Sequence, residues 1–359
     1  MPSPEVRKGM PPVKLTREAF EQRFKSRFVD PAFGPLQKEL QAIADAAWEA
    51  YADSRKAPHT RKAGPEFADP DYDLSVDWLA ARDAIALAQR RHDNPAEPSR
   101  LLLINGSARS EHSCPGEMSK TWRLVELAQR TIAEGGRFQT DILDLSRTTS
   151  EFGKTIHPCK SCVSTSMALC HWPCSCYPNY ALGQAPDWMN EIYPLWVAAH
   201  GVMIVAPVNW YQAPGPLKAM MDRLVCADGG NPDPTSTHGK KAAEAKALEL
   251  AGWPYPRHLA GRLFSVVVHG DTVGAETLRQ SMVDWALDMH LTLAGGNAEV
   301  DGYVGYYEPY ATSHDALDRD DAFQQEVRNA ARTLMEAVTA KREGRLVAAG
   351  ADLQDPRPK

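Results

Sequence analysis

The chain has 359 residues, more than one compact core holds, so a large domain with a substantial appendage is expected. A formal charge of −6 gives no basic footprint and argues against a nucleic-acid partner. Its apolar runs fall short of the roughly 20 residues of a membrane helix. The opening MPSPEVRKGMPPVK has no apolar segment of a secretory signal, so a cytoplasmic location is expected, away from membranes, with the cysteines reduced or metal-bound.

Residues 1–99 read as a polar, helical N-terminal extension. Phe20, Phe24 and Phe28 fall four apart, and Leu36, Leu40, Ile43 and Ala47 continue a helical stripe. A Pro/Asp-rich break at 65–73 precedes a further helix marked by Val76, Leu79, Ala80, Ala84 and Leu87. From Leu101 the pattern alternates. LLLIN is a continuous apolar run, as expected of a strand buried on both faces. A helix carrying Met118, Trp122, Val125, Ala128 and Ile132 follows and stops at Gly135-Gly136. FQTDILDL is the second strand. MNEIYPLWVAA reads as a helix that Pro194 should kink or split. VMIVAPV is the third strand, and GPLKAMMDRLV a helix with Pro216 in its first turn. LFSVVVHG is the fourth strand. Leu278, Met282, Trp285 and Met289 mark the next helix, a fifth strand lies near AEVDGYVG, and a last helix covers about 320–343. Strands alternating with helices define an α/β protein with a doubly wound parallel sheet. Such sheets bind ligands beyond the carboxyl ends of their strands, which singles out three loops.

The first, INGSARSEHSCPGEMSKT, offers hydroxyls at Ser107, Ser110, Ser113, Ser119 and Thr121, a charge at Arg109, and the amides of a helix start. It suits one phosphate. It lacks the glycines of a dinucleotide fingerprint or of a Walker loop. A plainer reading also stands, with Ser119 as an N-cap and the other hydroxyls solvating the loop. The second loop, PVNWYQAPGPLK, puts Asn209, Trp210, Tyr211 and Gln212 on a proline-stiffened turn, where amides and aromatic faces can hold a flat heteroaromatic ring. The third, HGDTVGAET, brings Gly270, Asp271, Thr272 and Gly274 to the other side. His269 reads as a satisfied structural histidine. Lys218 and Arg223 read as ion-paired surface charges, and Lys240 and Lys241 as part of a solvated loop or as contacts for a cofactor phosphate.

INGSARS with the downstream SKT, then APVNWYQAPGPLKAMMDRL, then VVVHGDTVGAE, resemble the flavodoxin-like NAD(P)H-dependent FMN reductase family over roughly residues 100–335. The resemblance implies a five-stranded sheet of order 2-1-3-4-5 holding FMN. It implies Ser107, Arg109, Ser113, Ser119, Lys120 and Thr121 around the phosphate. It implies Pro207, Val208, Asn209, Trp210 and Tyr211, with Gly270 and Asp271, around the isoalloxazine. The expected chemistry is hydride transfer from NAD(P)H through flavin N5 to free flavin, a quinone or a similar small-molecule acceptor, with no protein nucleophile. A homodimer or homotetramer is expected, as in related proteins of this fold. A flavodoxin-like electron carrier and an iron–sulfur flavoprotein are the alternatives. The organisation expected is an extension over 1–99, an FMN domain over 100–345 with a Cys-rich segment (147–182) and an insertion (228–258), and a flexible tail over 346–359.

HPCKSCVSTSMALCHWPCSC gathers Cys159, Cys162, Cys170, Cys174 and Cys176 beside His157 and His171. C-x-x-C spacing suits zinc or an iron–sulfur cluster, but the long gap from Cys162 to Cys170 does not reproduce the compact spacing of iron–sulfur flavoproteins of this fold, and a buried or redox-inert thiol group near the flavin is the favoured reading. Cys114 and Cys226 are expected to be packing residues.

Overall fold

The computed structural model describes residues 15–53, 59–114, 116–177, 187–309 and 312–346. The opening MPSPEVRKGMPPVK and residues 347–359 of the expected tail lie outside them. In chain order the helices are α1 (Arg17–Lys25), α2 (Gln37–Ala52), α3 (Val76–Asp93), α4 (Lys120–Glu134), α5 (Met189–Ala198), α6 (Gly215–Leu224), α7 (Ala242–Leu250), α8 (Ala275–Asp288), α9 (Ser313–Arg319) and α10 (Asp321–Arg342). The strands are β1 (Thr60–Lys62), β2 (Asp73–Ser75), β3 (Ser99–Asn105), β4 (Phe138–Asp144), β5 (Gly201–Pro207), β6 (Leu263–Gly270), β7 (Thr292–Leu293) and β8 (Glu299–Tyr303). Among the described residues no helix is long and apolar enough to cross a membrane.

The chain divides into two compact units, residues 1–83 with 160–187 and 231–253, and residues 84–159 with 188–230 and 254–359. The first unit is held by small local cores. Phe20 on α1 stacks on Tyr51 of α2 with ring centroids 5.0 Å apart and meets Trp48 edge-on at 5.5 Å. The buried face of α2 is Leu40, Ala44 and Tyr51, whereas Leu36 and Ile43 are exposed. β1 and β2 pair antiparallel around the Pro/Asp-rich break, and Ala63, Phe67, Leu74, Trp78 and Leu79 close over the hairpin. In another part of this unit, Ala168, Leu169 and Ala245 are buried against Cys162, Leu248 and Trp253.

The second unit is the doubly wound sheet. Its order is β4-β3-β5-β6, and the fifth position is shared by two short strands. β7 pairs with the start of β6 and β8 with its end, and every pair in this sheet is parallel. This is a flavodoxin-like arrangement of order 2-1-3-4-5 whose last strand is interrupted at 294–298. Leu101 to Ile104 and Val202 to Ala206 are buried on both strand faces, which is why they read as unbroken apolar runs. On one side of the sheet Leu124, Val125, Ala128 and Ile132 of α4 join Val327, Ala331 and Leu334 of α10 over Leu103, Met203 and Val267. Each such leucine or isoleucine contributes on the order of 1.5–3 kcal/mol by burial.

Several expectations are corrected in this unit. α5 runs on through Pro194 unsplit. Pro194 is the sixth of the ten residues of α5, and its missing N–H removes a single intrahelical bond. Arg223 is not a surface charge. It is buried, its Nη1 donates to the His157 carbonyl at 2.9 Å, and the Arg223 carbonyl accepts from the Tyr193 hydroxyl at 3.2 Å. Lys218 does pair with Asp222. Cys226 is buried as expected, whereas Cys114 is exposed.

Candidate functional site at the carboxyl edge of the sheet

From β3 the chain passes to β4 on one side, while β5 lies on the other, so the loops leaving β3 and β5 diverge. The register aligns the three strand ends that matter. Asn105 lies opposite Val205, Pro207 opposite His269, and Gly270 opposite Tyr303. Three backbone bonds of 2.8 Å carry the ladder beyond the strands: Gly106 N to Val205 O, Val208 N to His269 O, and Val304 N to Gly270 O.

The first loop is knotted by its own hydroxyls. Buried Asn105 donates to Asp144 at 2.7 Å and accepts from Ser107 N at 3.2 Å. Ser107 Oγ accepts from Arg109 N at 3.1 Å. Ser113 Oγ accepts from Ser110 N at 3.0 Å and donates to Ser110 O at 2.6 Å. Ser119 caps α4, accepting from Trp122 N at 3.3 Å. At this helix start the first amides, those of Lys120 and Thr121, have no intrahelical partner.

Both cations of this region face carboxylates. Arg109 Nη2 lies 3.0 Å from Glu117 Oε1, and His314 Nδ1 reaches the same oxygen at 3.0 Å. Lys120 is buried, its Nζ 2.6 Å from Asp271 Oδ1 and 2.9 Å from the Val304 carbonyl. That pair ties α4 to the end of β6. Thr121 Oγ1 meets His269 Nε2 at 2.8 Å. Burial, and then the charges of Lys120 and His314, push the His269 imidazole down to about 3, so it is neutral at physiological pH.

The second loop is built differently. Asn209 and Gln212 exchange both backbone bonds, at 2.9 and 3.0 Å, and close a two-residue turn over Trp210 and Tyr211. Both central residues have positive φ, 49° and 66°. That is the pattern of a type I′ turn, where glycine and asparagine are the ordinary occupants. Two bulky aromatic residues in this region cost about 1 kcal/mol each or more. Trp210 is nevertheless 95% exposed and Tyr211 51%.

Gly274, at φ 95°, underlies the turn. A Cβ there would come within 2.8 Å of the Tyr211 ring and 3.1 Å of its Cα. At Gly270 a Cβ would meet Val208 Cγ1 at 2.5 Å. The Tyr303 hydroxyl accepts from Ala275 N at 3.2 Å and donates to Glu276.

All thirteen residues singled out for a phosphate and a flat ring fall on these three loops, the last residues of β5 and β6 (Pro207 and Gly270), and the first turn of α4. Ser113, Ser119 and Thr121 spend their hydroxyls on protein partners. Glu117, His314 and the Val304 carbonyl were not anticipated. They come from mid-loop and from the far end of the chain, and nothing in the spacing links them to Arg109 or Lys120.

The cysteines fall on both sides of the division between the units. Cys159 falls in the second unit and Cys162, Cys170, Cys174 and Cys176 in the first. Among the described residues no group of three or more His, Cys, Asp or Glu side chains is arranged to hold a metal ion. His171 is held at Nδ1 by Ser175 Oγ at 2.5 Å and at Nε2 by Thr237 Oγ1 at 3.1 Å. Lys240 is not solvated: its Nζ donates to the Leu169 carbonyl at 2.6 Å, whereas Lys241 pairs with Glu244 at 3.2 Å.

A parallel doubly wound sheet with a hydroxyl-lined helix start and an aromatic turn at its carboxyl edge is the architecture of flavodoxin-like proteins. The model of the NADPH-dependent FMN reductase family matches residues 99–295, more than half of the chain, and the chain belongs to that family. It is accordingly a flavin-dependent oxidoreductase with FMN as cofactor. No curated protein sequence matches the chain. Among solved structures it is similar to RosB with a bound 8-demethyl-8-formylriboflavin-5′-phosphate intermediate, at 12% identity and a TM-score of 0.46, over 73% of this chain and 90% of that one. It is also similar to an apo NADH:FMN oxidoreductase, at 13% identity and a TM-score of 0.37, over 66% of this chain and 89% of that one. A flavone reductase matches at 16% identity and a TM-score of 0.38, over 67% of this chain and 63% of that one.

Proposed function

We propose that the protein oxidises NAD(P)H and passes the two electrons to a small aromatic acceptor, such as free flavin or a quinone, with FMN held at the carboxyl edge of the sheet. The phosphate would be held by Ser107, Arg109, Ser113, Ser119, Lys120 and Thr121. The ring system would be held by Pro207, Val208, Asn209, Trp210 and Tyr211 with Gly270 and Asp271. The donor set fits: hydroxyls, a guanidinium and the unpartnered amides of a helix start are the chemistry of a phosphate site. The observation that carries this reading is the Trp210–Tyr211 turn. A chain that holds two aromatic residues at positive φ and exposes them gains nothing in stability, and a flat ligand laid against them recovers the cost.

When bound, FMN supplies the reversible two-electron chemistry. The chain's own residues bind and position. Ser119 and the Lys120–Asp271 pair fix the start of α4 against β6. His269 is neutral and engaged with Thr121, so it supplies no proton near pH 7. Asn209 and Gln212 hold the turn that fixes the two aromatic residues.

The test is the spectrum and turnover of the purified protein. A yellow 1:1 complex, FMN as the released cofactor by mass, and NAD(P)H consumption that rises with added menadione or free FMN are expected. Protein that stays colourless in excess FMN contradicts the site. A yellow protein that does not consume NAD(P)H contradicts the reaction and makes it an electron carrier.

A further inference from the structure

The flavin reading leaves the cysteine-rich segment without a task, and its geometry points to one. Cys162 opens a single 3-10 turn, Cys162–Ser164, and its Sγ lies 3.5 Å from Cys176 Sγ. Both residues are half-buried, and none of the described cysteines is in a disulfide. Their surroundings are fixed by bonds within the same compact unit. Asn231 N donates to Cys170 O at 2.6 Å and Trp172 N to Asn231 O at 2.8 Å, pinning the middle of the segment. Ser175, next to Cys176, is held by His171. Ser166 Oγ donates to Ala245 O at 3.1 Å and anchors the other end on α7. Among the described residues the groups acting on Cys162 are the Lys240 ammonium, held by the Leu169 carbonyl at 2.6 Å just before α7, and the thiols of Cys176, Cys170 and Cys174.

We propose that Cys162 and Cys176 form a reactive dithiol that a hydroperoxide oxidises to a disulfide, with Lys240 positioning the attacking thiolate. In the first step the Cys162 thiolate attacks a peroxide oxygen. The O–O bond breaks, an S–O bond forms, the sulfur loses two electrons, and the departing hydroxide (an alkoxide from an organic hydroperoxide) takes a proton from solvent to leave as water or alcohol. In the second step the Cys176 thiol displaces the sulfenic hydroxyl, the S–S bond forms, and a second water leaves. Two equivalents of a low-molecular-weight thiol return the pair to the dithiol as their own disulfide forms.

The electrostatics agree with this geometry. The hydrogen bond from Cys176 and the charge of Lys240 outweigh burial and bring the Cys162 thiol from about 9 down to about 6. Burial lowers the Lys240 ammonium, but Cys176, Cys162, Cys174 and Cys170 raise it further, so it stays charged. An ammonium among thiols does for a thiolate what a bound cation would do.

The experiment oxidises the full-length protein with one to two equivalents of hydrogen peroxide and maps its peptides. Loss of two thiols and a Cys162–Cys176 crosslink, reversed by added thiol, are expected. Cys162→Ser should abolish the crosslink, and Cys176→Ser should leave a sulfenic acid at Cys162 that dimedone traps. In the unoxidised protein, iodoacetamide should modify Cys162 with a midpoint near pH 6, and Lys240→Met should slow this at pH 7 by about tenfold or more, with Lys240→Arg restoring it. If Lys240→Met does not fold, the wild-type midpoint and the Arg variant decide. A midpoint near 9, a crosslink between other cysteines, thiols untouched by peroxide, or stoichiometric zinc or iron released only when these thiols are alkylated would each overturn the proposal.

Discussion

The serine-rich loop after β3 and the Trp210–Tyr211 turn after β5 lie at adjacent strand ends and are stabilised in opposite ways. In the first, Ser113, Ser119 and Thr121 bond within the protein and both cations face carboxylates. In the second, the Asn209–Gln212 backbone pair closes a turn that keeps two aromatic residues at positive φ and exposed. We propose that folding shapes the first of the two and a ligand the second. The serine loop is a stable structure that a phosphate would enter by competing with existing partners. On the proposed reading the aromatic turn would be a platform held ready for the flavin ring at a cost.

Acid should break the first region most strongly. His269 has its folded-state pKa depressed from 6.5 to about 3, so the unfolded chain binds the proton first as pH falls. The stability tied to the neutral imidazole is therefore present above about 6.5 and is lost as pH falls toward 3, with a slope of up to about 1.4 kcal/mol per pH unit. Urea melts at pH 7, 5.5 and 4.5 should show this fall, and His269→Asn should flatten it. His92 and His200, stacked at 4.6 Å and both lowered to about 4, chiefly by burial, act in the same direction and window.

Gly274→Ala strikes the support of the second region. It places a side chain at φ 95° and against Tyr211, and should cost about 1–3 kcal/mol in denaturant melts. The pair Trp210→Asn with Tyr211→Gly gives the turn its preferred residues. It should stabilise the fold by about 1 kcal/mol and weaken FMN binding about tenfold, a divergence that a purely structural turn would not produce. The smallest effect is expected at Glu117→Gln. Releasing Arg109 from its carboxylate should raise FMN affinity by roughly threefold and leave riboflavin affinity unchanged, as titrations of the two ligands would read.

Most of the second unit was legible because its signals are local. Leu101–Ile104, Val202–Ala206 and Leu263–Gly270 are buried on both faces and could only be central strands. Ser119 and Gly135 bound α4 by local capping chemistry. The two-residue β7 and the polar strands TRK and DLS carry too little periodicity to stand out. On α2 the spacing pointed to Ile43, yet Tyr51 and Ala44 take the buried face, because an alanine-rich helix has no single dominant stripe. Gathering residues 160–187 and 231–253 with the N-terminal residues is a long-range event that no local pattern encodes. The same holds for His314, which meets Arg109's neighbourhood only after folding, and for Lys240, which reads as a loop lysine until the thiols are seen beside it.

The central claim is that FMN is held by its phosphate at the serine loop and by its ring at the aromatic turn. A fluorescence titration of cofactor-free protein with FMN and with riboflavin tests it most directly. The account predicts 1:1 binding of FMN, riboflavin weaker by at least about tenfold, and loss of that preference in Ser107→Ala with Arg109→Ala. Equal affinity for the two ligands, or a preference for FMN that survives the double substitution, would contradict it.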